Sequence, residues 1–278
     1  PLTATGKAPD FCQPYAVTTV NGVRIGLIGF ITQETPTLVK AANVAGLEFR
    51  DPAPIATELA AKLRTEEKCD IVIALTHLGA TQSTLNTGEI KGEAAKLATE
   101  IQPGTLDAII SGHTHTKVAG TVNGTPIVQG YYNGRGLGKL QFTLRNGKLV
   151  VAAPAYMDVN AKYDKPDAEM TAKIADYNAK LAPVLNEVVG TAGPFETKDD
   201  LANWAGDLIF NYAKRTTNNE YIVIQNDGGW RNGTFGADSP KDNKVTMRYL
   251  FTLMPFDNEI VLIDKMKGAD LLEILTQK

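Results

Sequence analysis

The chain has 278 residues, a length that predicts about two domains at roughly 150 residues each. Hydrophobic residues make up 43% and charged residues 21% of it, which excludes disordered, collagen-like and low-complexity classes. Its 28 Lys and Arg against 31 Asp and Glu give a net charge of -3. No basic block occurs, so we expect neither nucleic acid nor an anionic membrane surface as a partner.

Two cysteines, Cys12 and Cys69, are too few for a cysteine-rich zinc module or a disulfide framework. The longest apolar stretches, such as the one that ends at Ala74, are far shorter than the ~18 residues of a membrane-spanning helix. The chain begins at Pro1 without a signal-peptide pattern, and the apolar helix face over 271–275 is followed by no capping residue. We therefore expect a fragment of a longer protein. The sequence does not indicate an oligomeric state.

Buried strands alternate with helical segments over the first half of the chain. The predicted strands are 23–30, 70–76, 107–111 and 126–130. The predicted helices are 54–63, which Asp51 can cap, and 91–101. Residues 137–149 alternate around Asn146 and Gly147, as in an antiparallel hairpin. This order indicates an α/β layered domain.

The second half begins with a polar helix over 166–189 that Pro183 kinks or splits. We place the domain boundary there, with one domain over 1–158, a linker helix over 159–189 and a second domain over 190–278. The elements predicted after the linker are a helix over 201–215, a strand over 220–224, a Gly-rich loop over 226–233 and a strand over 259–263.

Histidine is the informative residue type, because all three histidines follow predicted strands. His77 comes directly after the strand 70–76, and His113 and His115 come after the strand 107–111. Ligands of open parallel sheets bind beyond the carboxyl ends of the strands. If these two strands are parallel neighbours, the three imidazoles converge on one edge. A lone histidine is more often a hydrogen-bonded surface residue, but the complete set at two strand ends favours metal ligation.

The spacing of His113 and His115 leaves two arrangements open. In an extended segment the two side chains point to opposite sides, where a pair of ions about 3.5–4 Å apart would accept one from each. A tight loop could instead bring both to one ion. Paired ions are typical of phosphate ester hydrolysis and need bridging carboxylates. No Asp or Glu adjoins these histidines in the sequence, so we expect the acids to come from elsewhere.

The segments 76–79 (Thr-His-Leu-Gly) and 112–115 (Gly-His-Thr-His) resemble motifs of the 5′-nucleotidase family. Residues 21–150 resemble the C-terminal half of its calcineurin-like metallophosphoesterase domain, and 190–278 resemble the start of its C-terminal domain. The resemblance implies half of an α/β sandwich, a linker helix and part of an α+β domain. It implies that His77 and His113 ligate one of two divalent ions (Zn, Mn or similar) and His115 the other. The bridging Asp and the catalytic His would lie upstream, so we expect no catalytic residue here and an inactive chain.

The loop that begins at Asn226 is similar to the family's Asn-x-Gly-Gly-x-Arg loop, and residues 255–258 are similar to its Pro-Phe-Gly-Asn segment, with Asp in place of Gly. Glycines let the backbone approach a ligand, and an arginine can donate a forked pair of hydrogen bonds to phosphate or hydroxyl oxygens. The resemblance implies that Phe256 stacks on a base and that Asn258 binds the base edge. Alternatively, the loop is a Gly-rich surface turn with a solvated arginine, and Phe256 is a core residue. The expected substrate-binding residues are Asn226, Gly228, Gly229, Arg231, Phe256 and Asn258.

Together these resemblances imply a metal-dependent hydrolase that releases phosphate from nucleoside 5′-monophosphates, in the periplasm or at the cell surface. Members of the family also hydrolyse 2′,3′-cyclic nucleotides and nucleoside diphosphate sugars such as UDP-sugars. An alternative from another class is a catalytically silent nucleotide-binding surface protein. It would keep the base pocket without the upstream acids.

Overall fold

The structure is a computed structural model. It describes residues 2–3, 6–145, 148–151, 153–159, 165–193, 195, 197–219, 221–225, 229, 231, 243–256 and 259–276. The chain forms two compact units, Pro1–Asp164 and Lys165–Lys278.

The strands of the first unit are β1 (Leu2–Thr3), β2 (Tyr15–Val20), β3 (Val23–Ile31), β4 (Leu47–Glu48), β5 (Ile71–Gly79), β6 (Thr81–Gln82), β7 (Ile90–Lys91), β8 (Ala108–Gly112), β9 (Lys117–Val122), β10 (Thr125–Gly130), β11 (Gly136–Lys139), β12 (Phe142–Arg145), β13 (Lys148–Val151) and β14 (Ala155–Asp158). Its helices are α1 (Thr35–Leu38), α2 (Pro52–Thr65) and α3 (Glu93–Glu100), with a 3-10 turn over Ala41–Val44.

A six-stranded sheet in the order β2-β3-β5-β8-β10-β9 organises this unit. The inner strands β3, β5, β8 and β10 are parallel, and β2 and β9 pair antiparallel at the two edges. These inner strands are the four that the sequence predicts. The prediction that β5 and β8 are parallel neighbours is confirmed. The sequence predicts that the strand ends at Thr76, before His77. Strand β5 instead runs to Gly79, so His77 lies within it.

Helices α2 and α3 pack small side chains against one face of the sheet. The Asp51 side chain caps α2 by accepting a hydrogen bond from the Ala53 N–H at 3.0 Å. Leu63 on α2 is fully buried, and a Cβ added at Gly26 on β3 would lie 2.8 Å from its Cδ1 atom. The absence of a side chain at Gly26 therefore lets α2 approach the sheet closely. The main core of the unit includes Ile28, Leu63, Val72, Leu97 and Ile109.

The hairpin predicted over 137–149 is smaller than expected. Only β12 and β13 form it, with Phe142 opposite Val151, and Asn146 and Gly147 lie outside the described residues. Strand β11 pairs with β14 instead. Leu140 and Phe142, which are partly buried, pack on Ile71, Ile73 and Ala108, a small apolar cluster of the sheet.

The second unit contains α4 (Ala168–Leu185), β15 (Val188–Thr191), α5 (Lys198–Thr217), β16 (Lys244–Thr246), α6 (Met247–Leu253) and α7 (Gly268–Thr276). Pro183 lies inside α4 without splitting it. Helix α5 begins with a capping box, in which Thr197 and Asp200 accept each other's backbone N–H groups. The core consists of Phe195, Leu201, Ala205, Val245, Tyr249 and Leu253. Whether 159–189 acts as a separate linker stays a prediction.

The strands predicted over 220–224 and 259–263 are not formed. A strand needs a hydrogen-bonded neighbour, and the described parts of these segments, 221–224 and 259–263, belong to no sheet. The Tyr221 hydroxyl donates to Asp264 Oδ1, just after the second segment, at 3.1 Å. No helix in the described part of the chain combines the length and the apolar character needed to cross a membrane.

Candidate functional site

The carboxyl ends of β5 and β8 bring His77 and His113 together. His77 pairs with Ile31 of β3, whereas the pairing of β5 with β8 is interrupted between Leu75 and Gly79. At this interruption the His77 and His113 rings approach, with centroids 5.1 Å apart and planes at 59°. Two of the three predicted ligands therefore lie side by side at the expected edge of the sheet.

The segment with His113 and His115 is a tight loop and not an extended strand. Both histidines have a left-handed backbone, with φ of 70° and 53°. The Thr114 N–H donates to the Gly112 carbonyl at 2.8 Å, which closes a three-residue γ-turn around His113. The His115 ring stacks on Tyr132, with centroids 5.4 Å apart. The backbone of this segment is therefore a loop, and the His115 ring lies against Tyr132 while the His113 ring lies beside His77.

Burial holds the pKa of His77 below its ordinary value, and the neighbouring His113 and His115 lower that pKa further. The Glu93 carboxylate acts in the opposite direction. A lowered pKa keeps the imidazole neutral at neutral pH, with a lone pair on one ring nitrogen. This is the protonation state in which histidine binds a metal ion.

Two carboxylates reach this edge through the fold, although none adjoins the histidines in the sequence. The Glu34 Oε2 atom, in the loop after β3, lies 3.8 Å from His113 Nε2. Glu93 on α3 accepts hydrogen bonds from the Thr32 hydroxyl at 2.8 Å and the Gly79 N–H at 3.3 Å. Neither residue is among the site residues predicted from the sequence. Glu34 could have been found from its position, because it follows β3, a strand that ends at the same edge of the sheet as β5 and β8.

The donor chemistry of this edge fits a divalent metal ion only in part. Neutral imidazoles are ordinary ligands of zinc and similar ions. However, among the residues that the structure describes, no group of three or more His, Cys, Asp or Glu side chains could hold a metal ion. The described residues thus supply imidazole ligands for a metal ion but do not form a complete metal site among themselves.

In the second unit, Arg231 and Phe256 are in contact. The Arg231 guanidinium carbon lies 4.5 Å from the centroid of the Phe256 ring, and the Arg231 N–H donates to the Leu253 carbonyl at 3.1 Å. Leu253 is 1% exposed but Phe256 is 45% exposed, so the phenyl ring lies outside the core. Three other predicted substrate residues lie outside the described part of the chain: Asn226, Gly228 and Asn258.

Gly229 lines a separate groove of about 1,090 Å³ in the same unit. Its wall is largely apolar and includes Trp204, Ile224 and Ile263, but neither Arg231 nor Phe256. We base the candidate substrate site on the Arg231–Phe256 contact, because that contact joins residues from two separate motifs.

Comparisons with known proteins find that this chain is similar to 5′-nucleotidases. Residues 188–278 match the family described as 5′-nucleotidase, C-terminal domain. The whole chain is also similar to a 5′-nucleotidase of Vibrio cholerae, with 26% identity across 98% of this chain and 54% of that protein. The resemblance to 5′-nucleotidases is therefore confirmed along the chain.

A cell wall protein and a solved phosphoesterase structure are also similar to this chain. The cell wall protein Lmo0130 of Listeria monocytogenes is 29% identical over 99% of this chain and 38% of that protein. The structure of the calcineurin-like phosphoesterase YfkN from Bacillus subtilis matches with a TM-score of 0.54 and 24% identity, over 67% of this chain and 62% of that one. This likeness confirms the predicted α/β fold class. The chain spans about half the length of the Vibrio cholerae 5′-nucleotidase.

Proposed function

We propose that the protein is a metal-dependent phosphohydrolase that removes phosphate from nucleoside 5′-monophosphates. The observation that carries the proposal is the His77–His113 pair, with ring centroids 5.1 Å apart at the carboxyl edge of the parallel sheet. The similarity to 5′-nucleotidases supports the reaction class.

In this proposal His77 and His113 hold one divalent ion, and His115 holds a second. When bound, such ions supply polarisation of the phosphoryl group and charge stabilisation in the transition state. The chain's own contribution is to present neutral imidazoles: burial lowers the pKa of His77 and so removes the competing proton. The Glu34 carboxylate, 3.8 Å from His113 Nε2, adds negative charge beside that ring without a direct hydrogen bond to it.

Substrate recognition falls to the second unit. The exposed ring of Phe256 would stack on the nucleobase, a contact worth about 1–3 kcal/mol at other base-binding sites. Arg231, held against that ring, would direct its guanidinium fork at a phosphate or ribose oxygen. Gly229, two residues before Arg231 in the chain and on the wall of the 1,090 Å³ groove, would let the backbone approach the nucleotide closely, and Asn226, Gly228 and Asn258 would complete the pocket.

The remaining ligands would come from outside this chain. The described residues contain no closed metal cluster, and the chain spans 54% of the similar Vibrio cholerae 5′-nucleotidase. We therefore propose that the bridging Asp and the catalytic His are supplied by another part of the full-length gene product. The 278-residue chain alone is expected to be inactive. The similar cell wall protein of Listeria supports a location outside the cytoplasm.

The metal assignment is tested by elemental analysis of the full-length gene product. We expect two equivalents of divalent ion in the wild type and one in His113→Ala. His77→Ala is the matched variant: it should lose the same equivalent, and the double variant should lose no more than either one. Unchanged stoichiometry in both single variants would refute the ligand assignment.

A further inference from the structure

Gln129 is a buried polar residue beneath the histidine loop. It lies on β10, paired with Ser111 of β8, and is 1% exposed. Burying an amide costs free energy unless its polar atoms are hydrogen-bonded. The partners of the side chain therefore show what Gln129 does in this fold.

Most hydrogen-bond partners of the Gln129 amide group lie in or beside the loop, and one more, the Ala80 carbonyl 3.5 Å from Nε2, follows β5. Its Nε2 atom is 2.9 Å from each of three acceptors: Thr114 Oγ1, Thr116 Oγ1 and the Thr116 carbonyl. Its Oε1 atom accepts from the Ser111 hydroxyl at 2.6 Å. The amide thus contacts the residues immediately before and after His115.

The same two threonines, Thr114 and Thr116, connect the loop to the end of β5 by hydrogen bonds. The Thr114 hydroxyl and the Thr116 hydroxyl both bond to the Ala80 carbonyl, the second at 2.6 Å. Ala80 itself is fully buried and follows the strand that contains His77. One polar network therefore joins Gln129, both threonines and the end of β5.

The backbone of this loop needs such support. His113 and His115 both have positive φ, 70° and 53°, a region that costs a residue other than glycine about 1–3 kcal/mol. Such conformations persist where the surrounding structure fixes them. Thr114 and Thr116 are partly buried and bonded inward, whereas His115 is exposed.

We propose that Gln129 is a positioning residue that holds the backbone of 112–116 in its strained conformation and thereby sets the orientation of His113 and His115. Replacing the amide by an apolar side chain would leave buried loop groups, including the Thr116 carbonyl, without their partner. The loop would then relax from the strained conformation. The consequence for metal binding rests on the proposed function, but the positioning itself does not.

The histidine NMR spectrum of the metal-free chain tests the positioning directly. The chain has three histidines, so the ring Cε1–H region contains three signals, which single His→Gln variants assign. We expect Gln129→Leu to shift or broaden the His113 and His115 signals. If both signals keep their wild-type positions and widths, the proposal is wrong.

Gln82→Leu is the matched control. The Gln82 amide makes three hydrogen bonds, to Gly88 O at 3.0 Å, to Ala119 O at 3.3 Å and from Ala119 N at 3.0 Å, but none to the histidine loop. We expect its loss to leave the histidine signals in place. Equal changes in both variants would indicate general destabilisation and overturn the positioning role. Thr116→Val removes a single hydroxyl as a milder variant, and it should shift the same two signals.

Zn²⁺ titration of the full-length gene product separates this inference from the proposed function. We expect Gln129→Leu to weaken Zn²⁺ binding roughly 10- to 100-fold, as loss of groups that orient metal ligands does elsewhere. If Gln129→Leu moves the two histidine signals but the wild type binds no Zn²⁺, the positioning stands and the proposed metal function fails. If Zn²⁺ binds equally well to both proteins, the positioning has no consequence for the metal and that part of the proposal falls.

Discussion

The guanidinium carbon of Arg231 lies 4.5 Å from the centroid of the Phe256 ring, although the two residues come from different sequence motifs. A cation–π contact of this kind contributes about 0.5–1 kcal/mol at exposed sites. It also restricts the orientation of a ring that is 45% exposed. An exposed aromatic ring held in this way is suited to stacking on a planar ligand.

Phe256→Ala is expected to raise KM for AMP about 10-fold or more and to leave kcat nearly unchanged, because stacking is equal in the ground and transition states. Hydrolysis of an aryl phosphate without a nucleobase should barely change. Steady-state kinetics of the full-length gene product on both substrates measure these changes in kcat and KM. Phe251→Ala is the control, since Phe251 is similarly exposed at 54%. Equal slowing of both substrates by Phe256→Ala would identify Phe256 as a structural residue.

The contact of Gly26 with Leu63 leads to a stability prediction. Leu63→Ala should lower the free energy of unfolding by about 2–5 kcal/mol, because it leaves a cavity beneath α2. Gly26→Ala should cost about 1–3 kcal/mol, because the new Cβ would lie 2.8 Å from Leu63 Cδ1. Denaturant unfolding measures both.

The two changes should also be coupled. In the Leu63→Ala background the clash is removed, so Gly26→Ala should cost less than it does alone. Additive effects would show that α2 does not pack on β3 through this pair. Leu38→Ala, at a residue that is 57% exposed, should change stability by less than about 0.5 kcal/mol.

Tyr249 gives a prediction about alkaline pH. Its hydroxyl is buried without a hydrogen-bond partner among the described residues, and burial raises the pKa of this phenol. The folded state therefore holds the proton more tightly than the unfolded state does. The resulting stability is fully present below the unfolded pKa of about 10 and is lost as the pH rises through the folded pKa.

Tyr249→Phe should accordingly be neutral or stabilising by about 1 kcal/mol at pH 7, since it removes an unpaired buried hydroxyl. Above pH 10 or so, its advantage over the wild type should grow. Urea unfolding of both proteins across this range provides the comparison. A substantial loss of stability at pH 7 would mean that the hydroxyl has a partner.

Local patterns were sufficient to predict most of the first unit. Apolar runs identify β3, β5, β8 and β10, and the position of His77 and His113 at strand ends places them at one edge. Glu34 could be placed at this edge from its position after a predicted strand, but its approach to His113 and the contacts of Gln129 depend on the packing of neighbouring strands, which no local pattern reports. Glu34 reaches His113 from the loop after another strand, and Gln129 reaches the loop from a neighbouring strand.

The second unit shows the limit of periodicity. Residues 221–225 and 259–263 have strand-like composition, but strand formation depends on pairing as well as on local propensity. The helices α5 and α7 were predictable, because a helix closes its hydrogen bonds within its own segment. The contact of Arg231 with Phe256 could not be predicted from either of the two motifs that contain these residues.

Phosphate release from AMP by the full-length gene product, after chelation and after re-addition of Zn²⁺ or Mn²⁺, tests the central claim most directly. We expect phosphate release in the wild type, which chelation abolishes and added metal restores. In His113→Ala, release in the presence of added metal should be lower than in the wild type by orders of magnitude. The account would be contradicted by a protein that binds AMP but releases no phosphate with any divalent ion, because that is the behaviour of a silent nucleotide-binding protein.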